Sequence, residues 1–475
     1  MKDEVSSALT YALSKGFQIH PDAFRILEKI ERTDLERIIK QVVREKAKQN
    51  LFLINQNDLK MFVDSEIDEG VENKHLILSD PTKKITSAEG IDGFGALFTN
   101  RYSKLLKVIL QRAQSNKLIP IERVRASQIK EEVFVGGLVM DRKIERDVTK
   151  LVMDDPTGSI ETLVFNKELQ KIANSLLIDQ FVMQSIISGK NGGFIVKDLI
   201  VPDVPDHVTN RSKTESYAVL ISDLHVGSKY FMEKEFTEFI LWLSSPDPVA
   251  RKVRFVLVCG DIVDGVGIFP NQDKELLLVD VDEQMTKAAR LLDKIPRHIK
   301  VFIIPGNHDP GRRALPQPAI PEKHSLSLWN RENFFMLGNP AMIELNGVKI
   351  LMFHGQSLDD VVGTTPGLSY SQPAKAMRVL LKARHLSPIY GKRTPIGPEL
   401  EDMMVIDDVP DIFHSGHIHV LDFDMYKGTL IVNSGAWQTQ TSYQTSMGIS
   451  PTPGIAVIIN LATMKVLTKN FVENV

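Results

Sequence analysis

The chain has 475 residues, of which 43% are hydrophobic and 25% are charged, and its formal net charge is −3. This length exceeds what one core normally supports and predicts two to four domains. The balanced charge excludes a generally basic surface, so contacts with nucleic acid must come from local basic patches. The single cysteine, Cys259, excludes an intrachain disulfide and a cysteine-based zinc site. With no apolar signal core and no membrane-length apolar run, the sequence predicts a cytoplasmic protein.

Residues 1–63 carry apolar side chains at helical spacing and are predicted to form a small helical module. The first helix is expected to end at Gly16, the second to open at Pro21, and Asp34 to cap a third. We interpret this segment as a compact structural module. A partner-binding or DNA-binding role stays open, because no specific motif is present.

Residues 64–130 are predicted to form a linker followed by a helix. The linker, 64–92, is polar and is interrupted by Pro81 and Gly90. The helix is expected from about Leu97 to Gln114. Its basic residues predict a charged, solvated face, with contacts to DNA phosphates as the alternative; they are Arg101, Lys104, Lys107 and Arg112.

Residues 131–205 change to short β-type segments and are predicted to form an OB-type barrel. The Asp-Asp-Pro-Thr-Gly sequence at 154–158 predicts the turn of a central hairpin. Such barrels bind single strands by stacking bases on aromatic rings. This segment offers only phenylalanines, which we interpret as core: Phe134, Phe165, Phe181 and Phe194. A structural or interface role is therefore favoured over a base-stacking surface.

Residues 215–475, which follow a polar bridge at 202–213, contain continuous apolar runs separated by helical stretches. The runs are 217–221, 255–258, 301–304, 350–353 and 411–413. Apolar runs without polar alternation are typical of strands buried on both faces. They predict an α/β or layered α–β–α domain with polar groups at the strand ends.

Five short polar motifs follow these runs. They are Asp223-Leu224-His225, Gly260-Asp261-Ile262-Val263-Asp264, Gly306-Asn307-His308-Asp309, His354-Gly355 and Gly416-His417-Ile418-His419. Carboxylates, imidazoles and amide oxygens are ligands for divalent cations such as manganese, iron and zinc. Side chains i and i+2 of an extended segment face the same side, so Asp223 and His225 are expected to bind one cation. Each motif alone is weak, but the five in order predict a metal site.

This ordered set resembles the calcineurin-like metallophosphoesterase superfamily over about residues 215–475. A narrower resemblance is to the small subunits of archaeal family D DNA polymerases. It is carried by the preceding barrel, by Phe-Pro-Asn-Gln-Asp-Lys-Glu-Leu at 269–276 and by Ser-Gly-Ala-Trp-Gln at 434–438. The resemblance implies a multidomain α/β chain: a small N-terminal helical module, an OB-type β-barrel, then a layered α–β–β–α calcineurin-like phosphoesterase domain.

The resemblance also implies two divalent cations, with manganese favoured. One would be bound by Asp223, His225 and His419, the other by Asn307, His354 and His417, and Asp261 would bridge both. His308 is the implied catalytic group that stabilises or protonates the departing oxygen, and Asp309 is expected to orient it. For Asp264 a structural role in its turn stays open. His414 and Cys259 are interpreted as packed residues.

The implied activity is a 3′–5′ exonuclease that removes mispaired ends for a replicative polymerase in the archaeal cytoplasm. Its implied partners are a large catalytic polymerase subunit, DNA with primer 3′ ends and, through the complex, a sliding clamp. No convincing clamp-binding peptide is present in the sequence. Two alternatives stay open: a phosphatase or phosphodiesterase of small esters, and a scaffold for the large subunit. Basic residues between His354 and His417 are either DNA contacts or a basic or partner surface: Lys375, Arg378, Lys382, Arg384, Lys392 and Arg393.

Overall fold

The computed structural model describes residues 3–27, 32–48, 51–56, 58–59, 73–111, 118–126, 129, 131–189 and 192–472. These residues form N-terminal helices, a closed barrel and two six-stranded sheets. Within these ranges, no helix combines the length and the apolar character needed to cross a membrane.

The elements with described bounds in the N-terminal part are helices and a short parallel strand pair. They are α1 (Asp3–Ser14), β1 (Gln18–Ile19), α2 (Pro21–Leu27), α3 (Arg32–Lys48) and β2 (Leu53–Ile54). The helix end before Gly16 and the helix start at Pro21 are as predicted. The expected cap at Asp34 is wrong, because the chain is already helical at Arg32. Leu35, Ile39 and Val42 of α3 are buried in the core of this part.

The next segment contains β3 (His75–Ser79), α4 (Gly90–Leu110) and α5 (Ile121–Ala126). The predicted linker is corrected here, because residues 75–79 form a strand; residues 64–72 lie outside the described ranges. The predicted helix is present but begins earlier, at Gly90. Arg112 and Gln114, expected in its last turn, also lie outside the described ranges.

A closed barrel follows, with strand order β4-β5-β6-β8-β7. Its elements are β4 (Val133–Ile144), β5 (Thr149–Asp155), β6 (Gly158–Val164), α6 (Lys167–Ser175), β7 (Phe181–Ser188) and β8 (Phe194–Ile200). The predicted hairpin turn is confirmed, and Asp155 Oδ1 accepts hydrogen bonds from the N–H groups of Thr157 (2.7 Å) and Gly158 (3.1 Å). Phe181 is fully buried as expected, but Phe165 is 49% exposed, because β6 ends at Val164 and leaves the Phe165 ring outside the barrel.

The remaining chain forms two packed sheets with helices on their outer faces. Its elements are β9 (Tyr217–Ile221), α7 (Glu233–Leu243), β10 (Val253–Cys259), α8 (Val281–Leu292), β11 (Lys300–Ile304), α9 (Glu322–Trp329), β12 (Phe334–Met336), β13 (Ala341–Leu345), β14 (Val348–Met352), α10 (Leu358–Thr364), α11 (Pro373–Ala383), β15 (Ile412–Ser415), β16 (Leu421–Tyr426), β17 (Thr429–Ser434), α12 (Ser442–Ser446), β18 (Ile455–Asn460) and β19 (Val466–Asn470). The strand orders are β12-β11-β10-β9-β18-β19 and β16-β17-β15-β14-β13-β3.

One apolar core lies between the two sheets and joins, for example, Leu220 and Leu257 of the first to Ile350 and Ile412 of the second. Helices α7, α8 and α9 pack on the outer face of the first sheet, and α10 and α11 on that of the second. The layers are therefore α–β–β–α, with two sheets where the apolar runs alone predicted one. Apolar runs cannot distinguish one sheet from two packed sheets, because a strand is buried on both faces in each arrangement.

Strand β3 forms one edge of the second sheet, where it pairs antiparallel with β13 and His75 lies opposite Leu345. The segment predicted as a linker thus belongs to the sandwich. Strands β9, β10 and β11 run parallel to one another, as do β14 and β15, so their carboxyl ends meet at one edge of the sandwich. All five polar motifs follow these strand ends.

Arg101 joins α4 to the long segment between α11 and β15. Its side chain is fully buried, with Nε 2.7 Å from Asp402 Oδ2 and Nη1 2.7 Å from the carbonyl oxygen of Pro388. His385 Nε2 lies 2.9 Å from the same carboxylate oxygen. The predicted solvated face is therefore wrong for Arg101, because spacing along a helix does not show which charged residue has a buried partner.

We predict that Arg101→Met lowers the free energy of unfolding by about 3–5 kcal/mol, because it leaves Asp402 as a buried carboxylate without its cation. Arg290→Met, at an exposed position on α8, is the control and should change it by less than about 1 kcal/mol. Urea unfolding followed by circular dichroism measures both variants. Equal stabilities of the two variants would contradict the role of the buried pair.

Candidate metal centre

The loops that contain the five motifs adopt an unusual backbone conformation. The φ angle is positive at Asp223 (53°), His225 (52°), Asp261 (51°), His417 (69°) and His419 (63°). This conformation costs a non-glycine residue about 1–3 kcal/mol and concentrates at functional sites. The extended geometry expected for Asp223 and His225 is therefore wrong, because the chain turns sharply after β9. Their side chains still converge on one place.

Asp223, His225 and His419 form one group whose potential ligand atoms lie within 4.8 Å of one another. Nε2 of His419 is 3.0 Å from Nε2 of His225 and 3.3 Å from Oδ1 of Asp223. Nδ1 of His225 lies 3.0 Å from Asp264 Oδ1, and donation to that carboxylate leaves the Nε2 lone pair facing the group. Two imidazole nitrogens and a carboxylate at this separation suit a shared divalent cation.

Asp261, His354 and His417 form a second group of the same kind. Nε2 of His354 is 3.1 Å from the amide oxygen Oδ1 of Asn307, which adds a fourth candidate ligand. Nδ1 of His354 donates to the carbonyl oxygen of Cys259 at 2.8 Å, so its Nε2 lone pair faces the group. Nε2 of His417 lies 3.3 Å from Asp359 Oδ2, which leaves Nδ1 of His417 for the group.

Asp261 lies between the two groups and is almost fully buried. Its Oδ1 accepts the backbone N–H of His308 at 2.8 Å. Its Oδ2 is 3.2 Å from His354 Nε2 and 3.8 Å from His225 Nε2, so one oxygen faces a histidine of each group. The structure thus brings together all seven side chains that the sequence predicted as ligands, with Asp261 in the central position.

Asp264, whose role the sequence left open, orients His225. Besides its contact with His225, its carboxylate accepts hydrogen bonds from Nε2 of Gln272 (2.9 Å, to Oδ2) and Nε2 of Gln438 (3.0 Å, to Oδ1). His225, Asp264 and His308 also lie close enough to bind a cation. The Asp264 oxygens already accept hydrogen bonds from His225, Gln272 and Gln438. We therefore assign Asp264 as a residue that orients the ligand His225 and not as a ligand itself.

Sequence reasoning missed the supporting residues Gln272, Gln438, Gln444 and Asp359. A signal was present for two of them, because Gln272 and Gln438 belong to the segments 269–276 and 434–438 that carry the narrower resemblance. The amide nitrogen of Gln444 lies 2.6 Å from Nδ1 of His419. Asp359 has no comparable signal, because it approaches His417 only through the packing of α10.

His308 presents one nitrogen to the site. Its Nδ1 donates to the carbonyl oxygen of Asp264 at 2.7 Å, and its Nε2 lies 3.9 Å from Asp261 Oδ2. The expectation that Asp309 orients His308 is wrong. The Asp309 carboxylate instead accepts the backbone N–H groups of Ile262 (2.9 Å), Val263 (3.1 Å) and Gly306 (2.8 Å), which fastens the loops after β10 and β11 together.

The charges of the site favour a cation. Burial lowers the pKa of His225, but its hydrogen bond to Asp264 and the charges of Asp261, Asp264 and Asp223 outweigh burial and raise that pKa to about 9. Burial also lowers the pKa of His354, but the negative charge of Asp261 and the hydrogen bond to it outweigh burial and raise that pKa to about 9. An imidazole that binds protons this readily lies in a negative potential, and a divalent cation would experience the same potential.

Neighbouring residues interpreted as packed are indeed part of the core. His414 is fully buried, with Nε2 3.0 Å from Oγ of Ser434, and burial lowers the pKa of His414 to about 3. Cys259 is fully buried, and burial raises the pKa of its thiol. The prediction for Arg384, a DNA contact or a basic or partner surface, is wrong: this side chain is buried and donates to the carbonyl oxygens of Ile406 and Asp407, so it stabilises the fold.

We predict that Gly306→Ala weakens Mn²⁺ binding at least about 10-fold. A Cβ atom at Gly306 would lie 2.1 Å from Asp261 Oδ1 and would push this carboxylate out of its central position. Gly363→Ala, in α10, is the matched control, because a Cβ atom there meets nothing within 4 Å. Titration calorimetry with Mn²⁺ compares the two, and unchanged affinity in Gly306→Ala would contradict the central placement of Asp261.

Comparison with known proteins gives three findings. Residues 218–420 match the family model that describes the B subunits of DNA polymerases alpha and epsilon. The chain is 39% identical over 394 residues to the DNA polymerase II small subunit of Methanocaldococcus jannaschii, which covers 81% of this chain and 66% of that protein. It is 38% identical over 385 residues to the DNA polymerase II small subunit of Archaeoglobus fulgidus, which covers 80% of this chain and 77% of that protein.

A comparison with solved structures finds a match to a short part of the chain. OBody AM1L10 bound to hen egg-white lysozyme matches 18% of this chain and 94% of its own, with 14% identity and a TM-score of 0.17. The chain spans about two thirds of the length of the M. jannaschii relative.

Proposed function

This chain belongs to the family of small subunits of archaeal DNA polymerase II, which is the family D polymerase. From this membership and from the geometry of the site, we propose its function. The chain is a nuclease that hydrolyses DNA phosphodiester bonds with two divalent cations and removes mispaired nucleotides from primer 3′ ends. The observation that carries this proposal is the central Asp261 carboxylate, with a complete set of cation ligands on each side of it.

Each cation has its own ligands in this proposal. Asp223, His225 and His419 would hold the first cation, Asn307, His354 and His417 would hold the second, and Asp261 would serve both. The mixed nitrogen and oxygen donors suit manganese, iron or zinc, and we propose manganese. When bound, the two cations would polarise the phosphodiester, activate the attacking water and stabilise the leaving oxygen.

His308 supplies the proton for the departing oxygen. Its hydrogen bond to the carbonyl oxygen of Asp264 keeps Nδ1 protonated, so a second, transferable proton can be carried only on Nε2. Nε2 lies beside Asp261 at the centre of the site, and the side chain is 15% exposed. We propose that the substrate oxygen approaches this nitrogen.

The remaining parts of the chain serve the polymerase complex. We assign residues 1–63 to a helical module, 64–130 to a connecting segment, 131–205 to an OB-fold domain and 215–475 to a calcineurin-like phosphoesterase domain. The chain binds a large catalytic polymerase subunit and acts on primer 3′ ends at replication forks in the archaeal cytoplasm. A sliding clamp is reached through the complex.

Two other functions make different demands on the site. A pure scaffold needs no ligands, whereas here all seven ligand side chains are present, and hydrogen bonds orient His225, His354 and His417 among them. A phosphatase or phosphodiesterase of small esters could use the same ligands but has no need of the upstream barrel and helices. The family membership of the chain favours DNA over small esters.

We predict that His308→Ala lowers the rate of DNA hydrolysis by about 10²–10⁴-fold, because it removes the proton donor while all metal ligands stay in place. Asp261→Ala should instead weaken Mn²⁺ binding at least about 10-fold. His20→Ala, at a side chain that is 48% exposed in the N-terminal part, is the matched control and should keep full activity. Gel analysis of a 5′-labelled primer–template with a mispaired 3′ end, together with Mn²⁺ titration, measures these effects.

Stepwise shortening that Asp261→Ala lacks supports an exonuclease. Full activity of His308→Ala would show that another group donates the proton. If the wild-type chain fails to shorten the primer even with the large subunit present, DNA is not its substrate. The scaffold and small-ester functions would then take precedence.

A further inference from the structure

Two aromatic rings stack beside the candidate metal centre, outside the five motifs. The centroids of Phe269 and Tyr443 are 6.1 Å apart, and their planes differ by 27°. Phe269 lies in the loop after β10, and Tyr443 lies on the short helix α12. The Tyr443 side chain remains 47% exposed despite its size. The proposed hydrolysis uses neither ring.

Phe269 is tied to the ligand His225 through Gln272. The carbonyl oxygen of Phe269 accepts the backbone N–H of Gln272 at 3.3 Å, which closes a tight turn. The side chain of Gln272 donates to Asp264, and Asp264 contacts His225. This chain of contacts fixes the loop with Phe269 relative to the first group of ligands.

Tyr443 is tied to the ligand His419 through its neighbour Gln444. Thr441 and Gln444 form a reciprocal capping box that sets the start of α12. The amide nitrogen of the same Gln444 side chain lies 2.6 Å from Nδ1 of His419. Because His225 and His419 approach each other to 3.0 Å, the two aromatic residues are anchored to the same group of ligands from two sides.

We propose that the ring of Tyr443, supported from behind by Phe269, is a stacking surface for the nucleobase next to the phosphodiester at the metal centre. This inference rests on the proposed function and names how its site recognises nucleic acid. Stacked bases need about 3.4 Å on each side, so a gap of 6.1 Å is too narrow for a base between the two rings. The base therefore stacks on the outward face of Tyr443.

Stacking is the form of recognition that this reaction needs. A nuclease site that removes any mispaired nucleotide must accept all four bases. Stacking allows this, because every base has a π-face. Hydrogen bonds to base edges would restrict the site to one base. In proteins that bind single strands, removing a ring that stacks on a base weakens binding about 5- to 150-fold, which is enough to separate nucleotides from phosphate esters without a base.

The test compares two substrates: a primer–template with a mispaired 3′ end, and the same primer–template whose 3′-terminal nucleotides are abasic and so offer no ring for stacking. In Tyr443→Ala the ratio of kcat/KM for the mispaired end to kcat/KM for the abasic end should fall about 5- to 150-fold. Tyr443→Phe, which keeps the ring, should restore the ratio. Phe165→Ala, which removes an exposed ring from the barrel, is the control and should leave the ratio at its wild-type value.

A second measurement detects the stacking directly. In the hydrolysis-deficient His308→Ala background with Mn²⁺, a 3′-terminal 2-aminopurine should lose fluorescence on binding, and adding Tyr443→Ala should restore that fluorescence. An unchanged substrate ratio together with unchanged quenching in the Tyr443→Ala variants overturns the stacking surface and leaves the nuclease intact. Absence of wild-type activity on the primer overturns the proposed function itself, which is a different result.

Discussion

The structure depends on placing one carboxylate, Asp261, in a nearly water-free position between two sets of cation ligands. A buried carboxylate without a partner is strongly unfavourable, so the surrounding imidazoles and hydrogen bonds must be positioned together with it. Those groups come from loops on both sheets. Packing of the two sheets therefore determines whether the site exists, and the parallel strands bring their polar ends to one edge.

The loops that deliver the ligands are strained, and neighbouring contacts stabilise them. Five ligand residues adopt left-handed backbone conformations. Asp309 fastens two of the loops by accepting three backbone N–H groups. Gln272 and Gln438 orient Asp264, which orients His225. The segments 269–276 and 434–438 are thus explained physically, since each contributes a glutamine that supports the first group of ligands.

The upstream part of the chain is built into the same body as the sandwich. Strand β3 completes an edge of the second sheet, and buried Arg101 of α4 contacts Asp402 beyond α11. The barrel joins this junction, because the N–H of Tyr390 donates to Asp179 Oδ2 at 3.0 Å. A chain assembled in this way presents the barrel and the metal centre in a fixed relation to each other.

The sequence by itself indicated the barrel and the buried strands that precede the five motifs, because buried strands are restricted to few residue types in a regular local order. The seven candidate ligands followed from the resemblance that the five motifs carry. The sequence did not determine what depends on distant partners. Arg101 looked like a solvated charge until Asp402, about three hundred residues away, was placed beside it. The strand at 75–79 needed β13 as its partner, and Asp309 was assigned to the wrong neighbour. Only the tertiary structure decided these points, because burial and hydrogen-bond partners arise from packing between segments that local sequence patterns do not relate.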